Sequence, residues 1–478
     1  MEARFSDYLS GIKSSLKKLI KLLSEDFDYV SVLATDSVGI RVIISQNSKS
    51  VSDSNMTTER GVCVRVRRDG LYSECAFNFS PEEDTEALYA GIKQELDAQL
   101  ELIKLTGTPV YETDILPDEA LTLFVEMEAE KLPEYTDMDE LIEFMTGISN
   151  RGMEIIPKVL DTQVSANSTH ISKLFMTENR DLSQSYVYTE GTVVAYAPND
   201  KGEIKLYYGG VSGNGGLEIL DGLTAKLEEA PQTMTELLSA GKVVPGEYDV
   251  ITSPEVTGLI AHEAFGHGVE MDMFVKGRAL GAEYIGKRVG SDLVTMHEGA
   301  LTDESVTSYA FDDEGTLAGD VTEIENGILK TGICDALSAL RLGTVPTGNG
   351  KRENYAHKVY TRMTNTMFDS GEDSLDDMIA SIEHGYLLKG MESGMEDPKH
   401  WGIQCIISRG YEIKDGRLTG NVVSPVIMTG YVPDLLGSVS MATPDRCIYG
   451  NGGCGKGHKE WVKVADGGPY LKTKARLG

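Results

Sequence analysis

Apolar residues recur at Phe5, Leu9, Ile12, Leu16, Leu19, Ile20 and Leu23, the spacing of one helical face. Lysines 17, 18 and 21 interrupt any uniformly apolar core there. Glu2, Asp7 and the single Arg4 are unlike a transit peptide, so the segment reads as an amphipathic helix of the mature chain. Residues 29–34 (YVSVLA) and 39–44 (GIRVII) then predict two strands with a turn between them. Residues 61–66 and 71–77 flank Arg68-Asp69-Gly70, a hairpin signal because Asp-Gly tolerates positive φ. Ser80-Pro81-Glu82-Glu83 predicts a helix start, with Ser80 as N-cap, proline in the first turn and acids at the positive dipole end. The apolar face of that helix is Leu88, Ile92, Leu96, Leu100 and Ile103.

A second stretch, 111–228, repeats the scheme. Residues 137–148 have helical spacing, and β-branched runs at 158–164 and 191–196 predict strands. The third stretch, 229–478, is rich in glycine, with hairpin signals at Glu325-Asn326-Gly327-Ile328 and Lys414-Asp415-Gly416-Arg417 and a short helix at 374–385. Strands and helices segregate rather than alternate, which predicts an α+β fold of mixed or antiparallel sheets. The expected organisation is an N-terminal α+β module (1–110), a central one (111–228) and a β-rich C-terminal domain (229–478). Pro109 and residues 228–232 are the best linker positions, and no repeat of 20 to 50 residues is visible.

Composition narrows the function. Of 478 residues, 41% are hydrophobic and 25% charged, as in ordinary globular chains. Lys+Arg 44 against Asp+Glu 75 gives a net charge of −31, a field that opposes direct binding to nucleic acid or anionic lipid. No apolar run approaches the roughly 20 residues that cross a bilayer. Six cysteines, none in a CxxC pair, make no disulfide framework and point to a reducing cytoplasm.

The sharpest chemical signal is Gly258-Leu259-Ile260-Ala261-His262-Glu263-Ala264-Phe265-Gly266-His267-Gly268, an H-E-x-x-x-H sequence one residue longer than the H-E-x-x-H of helical zinc proteases. Its bland reading is a helix whose histidines cap or fill a core. On an unbroken α-helix, positions i and i+5 lie about 140° apart, so His262 and His267 could not face one ion. A shared metal therefore requires the helix to end or widen into a π-bulge near Gly266 and Gly268. Catalytic zinc also needs a third protein ligand and an open position. Cys454, within Tyr449-Gly450-Asn451-Gly452-Gly453-Cys454-Gly455-Lys456-Gly457-His458, is the best candidate: glycines permit close approach, and a thiolate suits Zn²⁺. Lys456 and the metal would both lower its thiol pKa.

The same loop has rival readings. Gly450-x-x-x-x-Gly455-Lys456 matches a phosphate-binding loop except for its final hydroxyl, but residues 458–464 predict a strand where that motif needs a helix. His458 could add a fourth ligand and make the site structural. With a metal in place, Glu263 is positioned to take a proton from water and pass it to a leaving amine. Without one, it is a solvated or ion-paired acid.

These residues, with FDDEGT (311–316), IENGILK (324–330), PTGNGKRENYAH (346–357), RMTNT (362–366) and Cys454-Gly455-Lys456, resemble the TldD/PmbA family, and within it the metal-bearing TldD-like branch. The resemblance covers nearly all of the third stretch and, more loosely, the earlier two. It implies a cytoplasmic zinc metallopeptidase acting on unfolded peptides, with ligands at His262, His267 and Cys454 and the base at Glu263. It further implies a two-subunit assembly, either a homodimer or a heterodimer with a TldE-like chain lacking H-E-x-x-x-H. The sequence departs from the family pattern after Lys456 and in residues 385–401, which leaves substrate preference and partner open. Asn349, Lys351, Arg352 and His357 either contact the peptide or build turns and ion pairs. The acids at 312–314 either cap a turn or support a ligand histidine. The alternatives to a peptidase are a non-catalytic regulatory or assembly subunit and a nucleotide-binding protein.

Overall fold

A computed structural model describes residues 1–53, 58–82, 84–105, 111–456 and 459–478. The N-terminal helix α1 spans Asp7–Leu23; the Ser6 side chain caps it by accepting from the Leu9 amide, and its apolar face is buried from Leu9 to Leu23. Further helices are α2 (Thr85–Leu105), α3 (Met138–Ile155) and α4 (Leu223–Ser239). All four pack on an eight-stranded sheet. In order, its strands are Leu71–Phe77, Arg60–Arg68, Tyr29–Ile44, Asp161–Met176, Arg180–Pro198 and Leu121–Glu126. Lys49–Ser52 adds beside Tyr29–Ile44, and Ile204–Asn214 beside Arg180–Pro198.

The alternation of strand side chains divides this sheet between two cores. Val30, Val32, Ala34, Ile40, Val42 and Ile44 all point to the helices. Leu33, Ile171, Phe175, Leu182, Tyr186 and Tyr188 point the other way, onto residues 300–318. That second face, carrying Arg65 and Lys173 among its apolar residues, abuts the C-terminal part of the chain.

A second sheet has eleven strands. Gly246–Thr252, His384–Asp397, Gly402–Lys414, Val426–Tyr431 and Ala465–Leu477 pair in succession, and the last returns to the first, closing a ring. Helix α5 (Pro254–Ile260) packs Val256, Leu259 and Ile260 against its core.

The α+β architecture with mixed sheets is as the sequence indicates, and the Asp69-Gly70, Asn326-Gly327 and Asp415-Gly416 hairpins all turn with positive φ at both residues. Four local expectations differ. Residues 29–44 form one strand without a turn, because Asp36 stays in the sheet, held by Arg60 Nε at 2.7 Å and Ser6 Oγ at 2.5 Å. The second helix starts at Thr85 rather than after Ser80, with Asp84 Oδ1 accepting from the Glu86 amide at 3.1 Å; Glu83 lies outside the described residues. Residues 228–232 are no linker: α4 continues through Pro231, since Leu227, Ala230 and Met234 bury against the first sheet. Finally, strands from both sides of residue 110 share one sheet, Tyr29–Ile44 pairing with Asp161–Met176 from Val32↔Met176 to Ile44↔Val164. The second sheet begins only at Gly246. Pro109 lies outside the described residues. Among the described residues no helix is long and apolar enough to cross a membrane, and all six cysteines are free.

Candidate metal centre

Helix α5 does not continue as an α-helix. Residues Ala261–Gly266 form a π-turn, and the backbone amide of His267 donates to the carbonyl of His262. An i→i+5 bond of this kind brings residue i+5 back over residue i, which an α-helical pitch cannot do. The two imidazoles consequently lie with ring centroids 5.0 Å apart and planes at 89°. Glycines make the turn fit. A Cβ at Gly266 would sit 2.2 Å from Met363 Sδ, and one at Gly258 would sit 2.5 Å from Asp466 Oδ1.

The third donor arrives on a hairpin of Gly453–Lys456 with Lys459–Lys463, in which Cys454 pairs with Val462. Cys454 Sγ lies 3.2 Å from His267 Nε2. One ring nitrogen of each histidine and this sulfur all fall within 4.8 Å of one another. Burial alone would raise the Cys454 thiol pKa, but the His262 and His267 imidazoles outweigh it and pull it down to about 4.

Acids and bases behind the cluster fix its orientation. His267 Nδ1 is 3.1 Å from Glu270 Oε2, which aims Nε2 at the sulfur. Glu270 is fully buried, and burial would raise its pKa, but Lys456, His267 and Arg362 hold it well below the usual carboxylate range. Lys456 Nζ reaches Glu270 Oε2 at 3.1 Å and Asp272 Oδ1 at 2.6 Å, so its charge is matched to these acids rather than to the thiol. Arg362 donates from Nη2 to the Cys454 carbonyl at 2.8 Å. His262 Nδ1 lies 3.8 Å from Asp466 Oδ2, and burial pushes the Asp466 carboxyl up to about 6 against the pull of His262.

This donor set fits a divalent zinc ion. Two imidazoles and a thiolate are borderline donors, and tetrahedral zinc, with bonds of about 2.0–2.3 Å, spaces its ligand atoms roughly 3.3–3.8 Å apart. His262 Nδ1 and Asp466 Oδ1 are buried without a hydrogen-bond partner among the described residues. A cleft of about 690 Å³ opens over the three residues, bounded by Glu263, Met391, Glu396 and Trp461. Glu263 lies against Gly394, where a Cβ would meet its Cγ at 2.5 Å.

The structure thus gathers His262, His267 and Cys454 and places Glu263 on the same cleft, in agreement with a widened turn. It sends other marked residues elsewhere. Asp312 accepts from the amides of Glu314, Thr316 and Gly350, capping a turn. Asp313 pairs with Lys173, and Glu314 with Arg65. Asn349 donates to Glu298 and to the Arg362 carbonyl, Lys351 to the carbonyls of Met363 and Lys463, and Arg352 to Glu74. The Gly450–Lys456 loop leads into a strand instead of a helix, and His458 lies outside the described residues. Sequence reasoning assigned no role to Glu270, Asp466 or Arg362. Glu270 had a local signal, standing one turn beyond His267, and Arg362 opens the RMTNT motif; Asp466 is distant in sequence and had none.

Residues 245–474 match the PmbA/TldA metallopeptidase C-terminal domain. A metalloprotease of Methanocaldococcus jannaschii is 27% identical over 464 residues, 97% of this chain and 99% of the relative. A zinc metalloprotease TldD homolog of Saccharolobus solfataricus is 32% identical over 230 residues, 48% of this chain and 51% of the relative. The crystal structure of TldE from Thermococcus kodakarensis superposes with a TM-score of 0.74 at 18% identity, covering 97% of this chain and 100% of that one, a likeness of fold. The C-terminal part of the chain, residues 245–474, is thus similar to the C-terminal domain of the PmbA/TldA metallopeptidases.

Proposed function

We propose that this protein is a zinc-dependent peptidase, with the metal held by His262, His267 and Cys454. The observation that carries the reading is the π-turn at Ala261–Gly266, which brings two histidines five positions apart to one thiolate. Zinc supplies a Lewis acid that polarises a peptide carbonyl and makes water more acidic.

The chain's own residues do the rest. The Glu263 carboxylate takes a proton from the attacking water and delivers it to the departing amine nitrogen. Glu270 holds the proton on His267 Nδ1, leaving Nε2 as the free donor, and Lys456 and Arg362 keep Glu270 ionised. The cleft, with Met395 and Trp461 exposed along it, offers an apolar surface to an unfolded peptide. Net charge −31 opposes nucleic acid as a ligand. Free cysteines suit a reducing cytoplasm. We further propose a two-subunit assembly, either two copies of this chain or this chain with a TldE-like partner.

The test is cleavage of an unfolded peptide beside elemental analysis. Glu263→Gln is expected to retain zinc and lose hydrolysis; retained hydrolysis contradicts the role given to Glu263.

A further inference from the structure

Next to the metal cleft lies a second cavity of about 640 Å³, between the first sheet and the C-terminal part. One carboxylate separates the two: Asp272 Oδ1 accepts from Lys456 of the metal cleft at 2.6 Å, and Oδ2 from Lys276 of the second cavity at 2.8 Å.

Besides the ion-paired Arg65 and Arg352, three solvent-exposed cations, Lys276, Arg341 and Lys358, line this second cavity. Lys276 Nζ and Lys358 Nζ each lie 5.4 Å from the ring centroid of Tyr360, and the Arg341 guanidinium lies 4.9 Å from that of Tyr111. Lys276 shares Asp272 with Lys456. Among the described residues neither Arg341 nor Lys358 makes an ion pair; Arg341 Nε donates only to the Thr113 hydroxyl, at 2.9 Å. The acids in the wall have hydrogen-bond partners of their own, although Asp335 also attracts Arg341 and Lys358, and Glu74 attracts Lys358. Glu74 takes Arg65 and Arg352, Glu314 takes Arg65, and Asp335 takes the hydroxyls of Ser338 and Thr361.

Like charges gathered in one concavity repel, and they do so here in a chain with 75 acids and 44 bases. Partial burial lowers the Lys358 pKa, with Lys276 and Arg341 adding to the effect and Glu74 and Asp335 opposing it. An anion between Arg341 and Lys358 would relieve that repulsion through charge-assisted hydrogen bonds. The remaining wall, Leu71, Tyr72 and Leu337, is an apolar surface that a bare inorganic anion would leave uncovered and an amino-acid side chain would cover.

We infer that this cavity is a subsite for the free C-terminal carboxylate of a peptide, clasped by Arg341 and Lys358. The inference rests on the peptidase reading and names a group that the substrate or product must carry.

Binding of penta-alanine as free acid and as C-terminal amide, measured calorimetrically on Glu263→Gln protein, tests it. The free acid is expected to bind at least about tenfold tighter, and a further Arg341→Gln/Lys358→Gln change is expected to abolish the difference while leaving amide binding unaltered. Equal binding of acid and amide overturns the inference, as does a preference that survives the double change. Equal binding together with phosphate affinity that the double change removes would make the cavity an inorganic-anion site, again overturning it. If the preference holds but the unmodified protein hydrolyses no peptide, only the peptidase reading fails; if it hydrolyses peptides without the preference, only this subsite fails.

Discussion

The amide of His267 bonds to the carbonyl of His262, and the Nε2 of the same His267 stands 3.2 Å from Cys454 Sγ. One backbone bond thereby sets the spacing of the two histidines, and a hairpin from the far end of the C-terminal part brings the thiol to them. Gly266 is where this arrangement is tightest, because a methyl group there would meet the buried Met363 sulfur at 2.2 Å. Gly266→Ala is expected to destabilise the fold by about 1–3 kcal/mol, the usual cost of overpacking, and to lower zinc content. Thermal melting with elemental analysis checks both; a variant with unchanged zinc and melting temperature would show that the turn does not depend on the missing side chain.

Glu270 is the partner of His267 Nδ1 and is itself enclosed by Lys456 and Arg362. Glu270→Gln removes that acceptor charge and leaves two cations without their common partner. Zinc affinity is expected to fall about 10–100-fold, as for other partners of metal-ligating histidines. Competition with a graded series of chelators measures this directly, and unaltered affinity would assign Glu270 a purely structural part.

Glu263 stands on the cleft without belonging to the cluster. Its conversion to Gln is expected to lower kcat by about 10²–10⁴-fold, the range for loss of a general base, with KM little changed. A rise in KM at constant kcat would instead make Glu263 a binding group.

Glu74 joins the two parts of the chain, meeting Arg65 Nε at 2.6 Å within the first sheet and Arg352 Nη2 at 2.6 Å from the C-terminal part. Burial would raise its pKa, but Arg352 and Arg65 outweigh this and hold it far below the unfolded carboxylate value of about 4.3. A carboxylate with a depressed folded pKa contributes stability above its unfolded pKa and loses it as pH falls toward the folded one. Glu74→Gln is therefore expected to cost about 3 kcal/mol at pH 7, and the gap between variant and parent to narrow steadily below pH 4. Urea denaturation across that range checks the sign; a gap that widens in acid would contradict it.

Much of this was legible in the sequence, and for physical reasons. Helical spacing from Leu9 to Leu23 reports a face that is in fact buried, and Asp-Gly and Asn-Gly pairs report turns because few other residues accept positive φ at both positions. The H-E-x-x-x-H spacing conflicts with an α-helix, and that conflict itself indicated a widened turn. What stayed hidden depends on contacts distant in sequence. Asp36 looks like a turn residue until Arg60 and Ser6 hold it in a strand, and Pro231 looks like a break until the face around Leu227 and Met234 carries α4 through it. Arg352 shows the same limit. Its motif left open whether it contacts a peptide or pairs with an acid, and only the folded chain brings Glu74 to it.

The most direct test of the metal centre is the zinc content of purified protein beside that of Cys454→Ser. About one zinc per chain in the parent, and a marked loss in the variant with its circular dichroism unchanged, is the expected result. Full zinc retention without the sulfur, or a parent protein that takes up no zinc, would contradict the account.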